Sequence, residues 1–191
     1  MNSDLTLDLY DAAGAATQVD DLTALYIAAY EGTPQGEDPF NSTGRFLQRL
    51  AGYMRSPGFA LATARAGGGE LVGYAFGYVL QPGARWWEGL TSEPPAGLTD
   101  ETGSRTFALN ELHVRADHRG RGIASELHAK LLMSGTYERA TILVRPDNPA
   151  GDQYKHWGYQ PLGRLKPFPD SPEFIALILP LNIVNQPEQQ S

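Results

Sequence analysis

A short segment at residues 115–125 holds the residue types that bind an anionic phosphate. It reads RADHRGRGIAS and contains Gly120 and Gly122 beside Arg119 and Arg121. Glycines allow the backbone to turn so that several N–H groups converge on one anion. A helix that follows such a turn adds its unpaired N–H donors and its positive end. The segment predicts a phosphate or pyrophosphate cradle; on these residues alone, a plain turn with two solvated arginines is the alternative.

Several other chemistries are excluded by what the sequence lacks. It contains no cysteine, which rules out disulfides, thiolate-bound zinc, iron–sulfur clusters and a cysteine nucleophile. No Gly-Lys-Ser/Thr follows the glycines, and the third glycine of the dinucleotide-binding pattern is missing. No spacing of His, Asp and Glu resembles a metal site, and His118, His128 and His156 are predicted to be solvated. We therefore expect no metal.

The strand before this segment carries an irregularity in its apolar pattern. Its apolar residues change parity midway: first Phe107 and Leu109, then Leu112 and Val114. Because side chains alternate faces along a strand, both pairs cannot face one core in a regular strand. One extra residue near Asn110 or Glu111 restores the alternation, so the sequence predicts a β-bulge there.

The remaining elements follow from periodicity, capping residues and turn residues. Helices are predicted at about 22–30, 42–56, 123–132 and 149–157, and strands at about 5–9, 59–64, 71–80, 107–114, 140–144, 159–164 and 174–181. Two segments, 31–40 and 81–104, are predicted loops. Long loops inside a compact domain are usually functional.

Composition and charge narrow the class of protein. The 191 residues, 41% hydrophobic and 19% charged, fit one folded domain rather than a disordered chain. The net charge of −7 argues against a nucleic-acid partner, which requires a basic surface. No run of about 18 apolar residues predicts a membrane span, and the first residues lack a signal-peptide pattern. We expect a cytoplasmic protein, a monomer or homodimer, with no membrane partner.

The segment from Val114 to Ala124 resembles the acetyl-CoA signature of the GNAT superfamily of N-acetyltransferases. Arg119, Gly122 and Ala124 match its core, and Val114 precedes the arginine at the expected distance. A later set of residues in this sequence resembles a second signature of the family: Asn148, Ala150, Tyr154, Gly158 and Tyr159. The interval from Asn148 to Tyr154 is one residue shorter than usual. The order of predicted elements also follows the family over residues 3–182.

This resemblance implies a fold and an activity. The fold would be a mixed, mostly antiparallel sheet of about seven strands, flanked by about four helices, with a bulged and splayed fourth strand. It would occupy residues 1–184 as one domain, followed by a polar tail at 185–191. The activity would be transfer of an acetyl group from acetyl-CoA to a primary amine. A non-catalytic acyl-CoA-binding module on the same fold is the alternative.

The resemblance also assigns cofactor-binding residues. Backbone N–H groups of the loop and the Ser125 hydroxyl would hold the pyrophosphate, and main-chain groups of the preceding strand would pair with the pantetheine arm. The implied residues are Leu112, His113, Val114, Arg119, Gly120, Arg121, Gly122, Ile123, Ala124, Ser125 and Asn148. A backbone N–H near His113 or Val114 would stabilise charge on the thioester oxygen.

Two residues are candidates for proton transfer. Tyr154 would protonate the departing thiolate, and Glu111 would remove a proton from the amine. The alternatives are a packed aromatic for Tyr154 and an exposed strand carboxylate for Glu111. Since the chain has no cysteine, direct attack of the amine in a ternary complex is the expected mechanism. His113, two residues from Glu111, is a further candidate for relaying the proton.

The acceptor is predicted from charge and aromatic residues in the two loops. Glu31, Glu37 and Asp38 would form an acidic wall, and Trp86 and Trp87 would supply a flat aromatic wall. Together with the net charge of −7, these residues predict a small cationic amine as acceptor, such as a polyamine, an aminoglycoside or an amino-acid amine. A peptide N-terminus is the main alternative.

Overall fold

The fold is a seven-stranded sheet with helices on both faces. The computed structural model describes residues 5–166 and 171–181. The sheet order is β1-β2-β3-β4-β5-β7-β6, and all neighbours are antiparallel except the parallel pair β4–β5. The strands are β1 (Thr6–Tyr10), β2 (Ala60–Arg65), β3 (Leu71–Val79), β4 (Thr106–Val114), β5 (Arg139–Val144), β6 (Gln160–Leu165) and β7 (Phe174–Pro180). The helices are α1 (Ala12–Ala16), α2 (Val19–Tyr30), α3 (Thr43–Met54), α4 (Ile123–Leu132) and α5 (Gly151–His156).

The predicted fold class is confirmed, with one helix more than expected. The additional helix, α1, begins where the Asp11 side chain accepts a hydrogen bond from the Gly14 N–H at 2.9 Å. Such an N-cap satisfies one of the free donors at a helix start. The helix has five residues, too few to produce an apolar period, so periodicity did not reveal it. The predicted tail at 185–191 lies outside the described residues.

Two apolar cores lie on opposite faces of the sheet. On one face, α1, α2 and α3 pack Tyr26, Phe46 and Leu50 against β3 residues such as Tyr74. On the other face, α4 and α5 cover a core whose buried members include Ile123, Leu127, Leu131 and Tyr154. The two helix layers thus lie on opposite faces of the sheet.

The predicted β-bulge in β4 is confirmed, and Asn110 is the extra residue. Phe76 of β3 pairs with Glu111 and the next residue, Gly77, pairs with Leu109, so Asn110 is left without a partner. Beyond the bulge, Leu112 and Val114 rejoin the core under α4, the same core that holds Phe107 and Leu109. The bulge also directs Glu111 and His113 to the face of α2 and α3.

The sheet opens between β4 and β5 immediately after the bulge. Residues 106–109 pair with residues 139–142, and this parallel ladder ends there. Past that point β5 remains paired with β7 on its other side, and residues 111–114 of β4 remain paired with β3. One edge of each strand is therefore left open toward the other. We call this opening the β4–β5 gap.

A buried ion pair fixes the end of the long loop at 81–104. Glu101 is 1% exposed at its side chain and lies 3.0 Å from Arg139 Nη2. Its Oε1 also accepts hydrogen bonds from Trp87 Nε1 at 2.9 Å and from Thr106 Oγ1 at 3.0 Å. Buried charges require such partners. The loop is thus anchored to the start of β4 and β5, and Trp87 belongs to the anchor.

The described residues contain no helix that combines the length and the apolar character needed to cross a bilayer.

Candidate active site

A cavity of about 470 Å³ lies at the β4–β5 gap. Glu111 and His113 of β4 line it from the α2–α3 side, and Arg49 of α3 lies beside them. Tyr154 of α5 lines the same cavity, although it packs into the core on the opposite face of the sheet. The gap is what allows groups from the two faces to meet. An acidic and a phenolic side chain are thereby brought into one cavity.

Glu111 is held between two neighbours. Its Oε2 lies 2.9 Å from His113 Nε2, and its Oε1 lies 3.7 Å from Arg49 Nη2. Both the Glu111 and His113 side chains are 15% exposed. Arg49 is itself fixed, because its Nη1 donates a hydrogen bond to the Phe40 carbonyl at 2.7 Å. The carboxylate is consequently oriented and shielded, with an imidazole in hydrogen-bond contact.

Tyrosines around Glu111 are kept protonated. Burial, and secondarily the negative charge of Glu111, raises the pKa of Tyr26 to about 12. The same two causes raise the pKa of Tyr30, Tyr53 and Tyr154 above the ordinary value for a phenol. At neutral pH each of these side chains is therefore a hydroxyl donor.

Tyr154 has the features required of a proton donor. The residue is 6% exposed, and its ring makes edge contacts with Trp157 at 5.5 Å and Tyr159 at 5.8 Å between centroids. Its raised pKa keeps the proton on the oxygen. Because Tyr154 lines the cavity, its hydroxyl can donate a hydrogen bond into it. A group entering the cavity can accept that hydrogen bond.

The glycine loop before α4 has the geometry of an anion cradle. Gly120 and Gly122 adopt left-handed φ angles of 73° and 83°, which other residues rarely adopt. The first hydrogen bond at the start of α4 runs from the Glu126 N–H to the Gly122 carbonyl at 3.1 Å. The N–H groups of residues 120–125 precede it and make no backbone hydrogen bond within the described chain. They are free to bind a pyrophosphate, which a CoA molecule would supply.

The arginines of this loop have defined partners. Arg119 Nε donates to the Val114 carbonyl at 3.1 Å, and Arg121 Nη2 donates to the Asp117 carbonyl at 3.1 Å. Both side chains are exposed. Ser125 is exposed as well, at the first turn of α4. The loop therefore presents backbone donors with two positive charges close by.

The open edge of β4 can accept an extended ligand. The Arg115 N–H donates to the Val72 carbonyl of β3 at 2.9 Å. Because main-chain groups alternate between the two edges of an antiparallel strand, those of Leu112 and Val114 face the β4–β5 gap. Those of His113 face β3 instead. Of the three residues assigned to the pantetheine arm, His113 thus contributes a side chain to the Glu111 contact rather than main-chain groups to the gap.

Asn148 lies at the cavity but has a local partner. Its Oδ1 accepts a hydrogen bond from the Ala150 N–H at 2.9 Å, which forms a turn leading into α5. The residue therefore helps to determine where α5 begins and, as a consequence, where Tyr154 lies.

The acidic residues predicted to face the acceptor do not form a cavity wall. Glu31 and Glu37 are exposed and do not line the cavity. Asp38 accepts a hydrogen bond from the Phe40 N–H at 2.9 Å, and its Oδ2 lies 2.9 Å from Arg145 Nη1. Both contacts lower the pKa of Asp38, with the backbone bond as the larger cause. Its charge is therefore paired before any acceptor arrives.

The two tryptophans separate. Trp86 lines the cavity, and its Nε1 donates to Thr141 Oγ1 at 3.3 Å. Trp87 is buried in the loop anchor with Glu101 and does not line the cavity. Adjacent residues on one helical turn point in different directions, so only one of the pair can face the cavity.

Arg49 is a site residue that the sequence analysis missed. In α3 it falls on the stripe formed by Phe46, Leu50 and Tyr53, at the spacing of an apolar helix face. A charged residue on such a face is a signal of a buried partner. That signal was present in the sequence, but the partner, Glu111, was not identifiable from it.

His128 is buried, contrary to the prediction that it is solvated. It is 8% exposed, its Nε2 lies 3.0 Å from the Tyr159 hydroxyl, and its ring stacks on Trp157 at 4.5 Å. The prediction was wrong because α4 turns this face toward α5. Burial lowers the pKa of His128 from 6.5 to about 4. Within the described residues, no group of three or more His, Asp or Glu side chains is arranged to hold a metal ion.

We expect the stability of the protein to fall on mild acidification because of His128. Above about pH 6.5 the imidazole is neutral in both folded and unfolded chains. Between about pH 6.5 and about pH 4 the unfolded chain binds a proton that the folded chain does not, so the free energy of unfolding decreases. Urea unfolding should show a loss of about 2 kcal/mol from pH 7 to pH 5. His128→Gln should flatten this dependence, whereas His156→Gln, at an exposed position, should retain it. Equal slopes in both variants would contradict this assignment.

Solved structures of low sequence identity share this fold. NAA60 of Arabidopsis thaliana, in complex with a bisubstrate analogue, is 16% identical with a TM-score of 0.62, over 93% of this chain and 99% of that chain. A PaiA N-acetyltransferase of Thermoplasma acidophilum, in complex with coenzyme A, is 9% identical with a TM-score of 0.56, over 92% and 99%. The spermidine N-acetyltransferase SpeG of Vibrio cholerae, in a mutant form, is 15% identical with a TM-score of 0.57, over 94% and 95%.

Among curated proteins, none matches the sequence significantly. The sequence model of the acetyltransferase (GNAT) family, however, matches residues 19–159. That match begins at α2 and ends at Tyr159, so it includes the bulged strand, the glycine loop and Tyr154. It covers well over half of the chain, and the fold agrees with it. The chain is therefore a member of the acetyltransferase (GNAT) family.

Proposed function

We propose that this protein transfers an acetyl group from acetyl-CoA to a primary amine by direct attack in a ternary complex. The observation that supports this most strongly is the presence of Glu111 and Tyr154 in one cavity, at the open edge of the strand that leads into the anion cradle. Solved neighbours include a complex with coenzyme A and one with a bisubstrate analogue. When bound, acetyl-CoA supplies an activated acyl thioester with a thiolate leaving group.

The chain's own residues would hold the cofactor along the β4–β5 gap. Free N–H groups of the glycine loop bind the pyrophosphate, aided by the positive end of α4. Main-chain groups of Leu112 and Val114 pair with the amide-bearing arm, as a sheet edge pairs with an extended peptide. An N–H from this edge stabilises negative charge on the reacting carbonyl oxygen.

Proton transfer would be divided between the two sides of the gap. Glu111 takes a proton from the ammonium group of the acceptor, which leaves the neutral amine to attack the thioester carbon, and His113, at 2.9 Å, can pass that proton on. Tyr154 donates its proton to the departing sulfur as the new N–C bond forms and the C–S bond breaks. Arg49 is a positioning residue, since it contacts the Glu111 carboxylate from α3.

The test is release of free thiol from acetyl-CoA in the presence of a panel of amines, with the acetylated product identified by mass spectrometry. Glu111→Gln should lower kcat about 10²-fold, the usual scale for loss of a general base, while Kd for CoA changes little. Glu138→Gln serves as a matched control, because Glu138 pairs with Arg105 at an exposed position. CoA binding without thiol release for any amine would support the non-catalytic acyl-CoA-binding alternative.

A further inference from the structure

The acceptor half of the cavity is built mainly from aromatic rings. The term acceptor half denotes the part of the cavity lined by the following residues: Tyr30, Phe40, Tyr53, Tyr78, Trp86 and Phe174. They come from α2, α3, β3, β7 and both long loops, so separate parts of the chain supply the same type of side chain. An aromatic wall favours a ligand with a flat apolar body, because ring contacts add to the free energy of burial.

The rings are fixed by their neighbours rather than free to rearrange. Tyr53 stacks on Tyr78 at 5.6 Å, and Phe40 contacts Phe174 at 6.3 Å between ring centroids. Trp86 is oriented by its hydrogen bond to Thr141. The wall is thus formed before a ligand enters, which reduces the ordering cost of binding.

The charges that line the cavity oppose a polycation. Among the described lining residues, Glu111 is the single carboxylate, whereas Arg49, Arg85 and Arg145 are cationic. A ligand with several ammonium groups would find one partner and three like charges. An amine with one positive charge is matched by Glu111 alone.

Two of these arginines, Arg145 and Arg85, already have acidic partners that do not line the cavity. Arg145 Nη1 lies 2.9 Å from Asp38, and Arg85 Nε lies 2.8 Å from Glu88. These acids are therefore not available to bind an ammonium group. The net negative charge of the chain predicted a cationic acceptor, but that negative charge does not lie on the cavity wall. The prediction is therefore narrowed to an acceptor with one positive charge.

We propose that the acceptor is a primary amine with a single positive charge, carried on a small aromatic or flat apolar body. The proposal rests on the proposed function for the position of the reacting amine at Glu111. The body of the acceptor lies against Trp86 and the tyrosines, and its nitrogen points to the β4–β5 gap.

The first experiment compares 2-phenylethylamine, n-butylamine and spermidine as acceptors at equal concentration. Burial of one ring supports about a 10-fold to 100-fold preference in kcat/KM, so 2-phenylethylamine should exceed both other amines by at least about 10-fold. If spermidine or n-butylamine is the best acceptor, the aromatic-acceptor proposal is overturned while the acetyltransferase assignment stands.

A binding measurement separates this proposal from the reaction itself. Calorimetric titration of 2-phenylethylamine and of spermidine into the protein with CoA present should show saturable binding of the first only. This readout does not depend on turnover. If no amine releases thiol but 2-phenylethylamine still binds preferentially, the proposed function fails and the acceptor-half assignment survives; tighter binding of spermidine overturns the assignment.

Two substitutions locate the preference in the acceptor half. Trp86→Ala should raise KM for 2-phenylethylamine by about 10-fold, whereas Trp86→Phe, which keeps a ring, should raise it less. Arg85 is 82% exposed, so Arg85→Glu should leave the fold intact. It should improve kcat/KM for spermidine severalfold at low salt, and by less for 2-phenylethylamine, which carries a single positive charge. Unchanged acceptor kinetics in both Trp86→Ala and Arg85→Glu would place the acceptor elsewhere.

Discussion

Replacing Gly122 with Asp should remove high-affinity CoA binding. The residue has a φ of 83° in the loop whose N–H groups make no backbone hydrogen bond, and nothing in the described chain lies within 4 Å of an added Cβ. The substitution therefore places a carboxylate in the cradle itself. Two like charges about 4 Å apart repel by about 4 kcal/mol at an effective dielectric constant of about 20. After allowance for solvent screening, we expect Kd for CoA to rise at least about 100-fold by calorimetry.

Gly68→Asp is the matched control for this substitution. Gly68 lies between β2 and β3 with a φ of 95°, and it also has open space around an added Cβ. The control therefore carries the same backbone strain and the same charge away from the loop. It should bind CoA as the parent does, with a similar loss of stability. If Gly122→Asp binds CoA as tightly as Gly68→Asp, the loop is not the pyrophosphate site.

Tyr154→Phe should lower kcat by about 10²-fold or more, the usual scale for loss of a general acid. The ring and its edge contacts with Trp157 and Tyr159 are retained, so the fold and the Kd for CoA should change little. Only the phenolic hydroxyl, and with it the proton to be donated, is lost. Pre-steady-state measurement of thiol release, with the amine saturating, isolates this step from product release.

The control removes a buried phenolic oxygen that does not line the cavity. Tyr137→Phe breaks the hydrogen bond between Tyr137 and Ser134, which is 2.9 Å long and lies at the end of α4. It should cost stability without altering kcat. Equal rates for Tyr154→Phe and the parent would leave Tyr154 as a packed aromatic of the α5 core.

Features that depend only on residues adjacent in the sequence were predictable from it. The bulge at Asn110 follows from the parity of Phe107 and Val114 alone, because strand alternation is a local rule. The left-handed glycines of the loop are equally local, since each φ depends on the residue itself. The order of strands and helices also followed from short-range periodicity.

Contacts between distant segments were not predictable. Arg145 and Asp38 are 107 residues apart, and their pairing depends on how two loops pack after the sheet has formed. Composition suggested that Glu31 and Glu37 share a wall with Asp38, but side-chain direction in a loop is set by tertiary packing rather than by residue type. The same limit applies to Arg49. The sequence pattern placed it on an apolar helix face, but it did not identify Glu111 as its partner.

The contacts at Asp38 and Phe40 bear on the conformational entropy of the site. The short β4–β5 ladder joins the two halves of the sheet at one end of the gap. At the other end, the Asp38–Arg145 ion pair and the Phe40–Phe174 ring contact connect the loop after α2 to β5 and β7. Contacts therefore span the gap at both of its ends, and its width is determined when the chain folds. Less disorder remains to be removed when two substrates assemble within it, so more of the intrinsic binding free energy is retained as affinity.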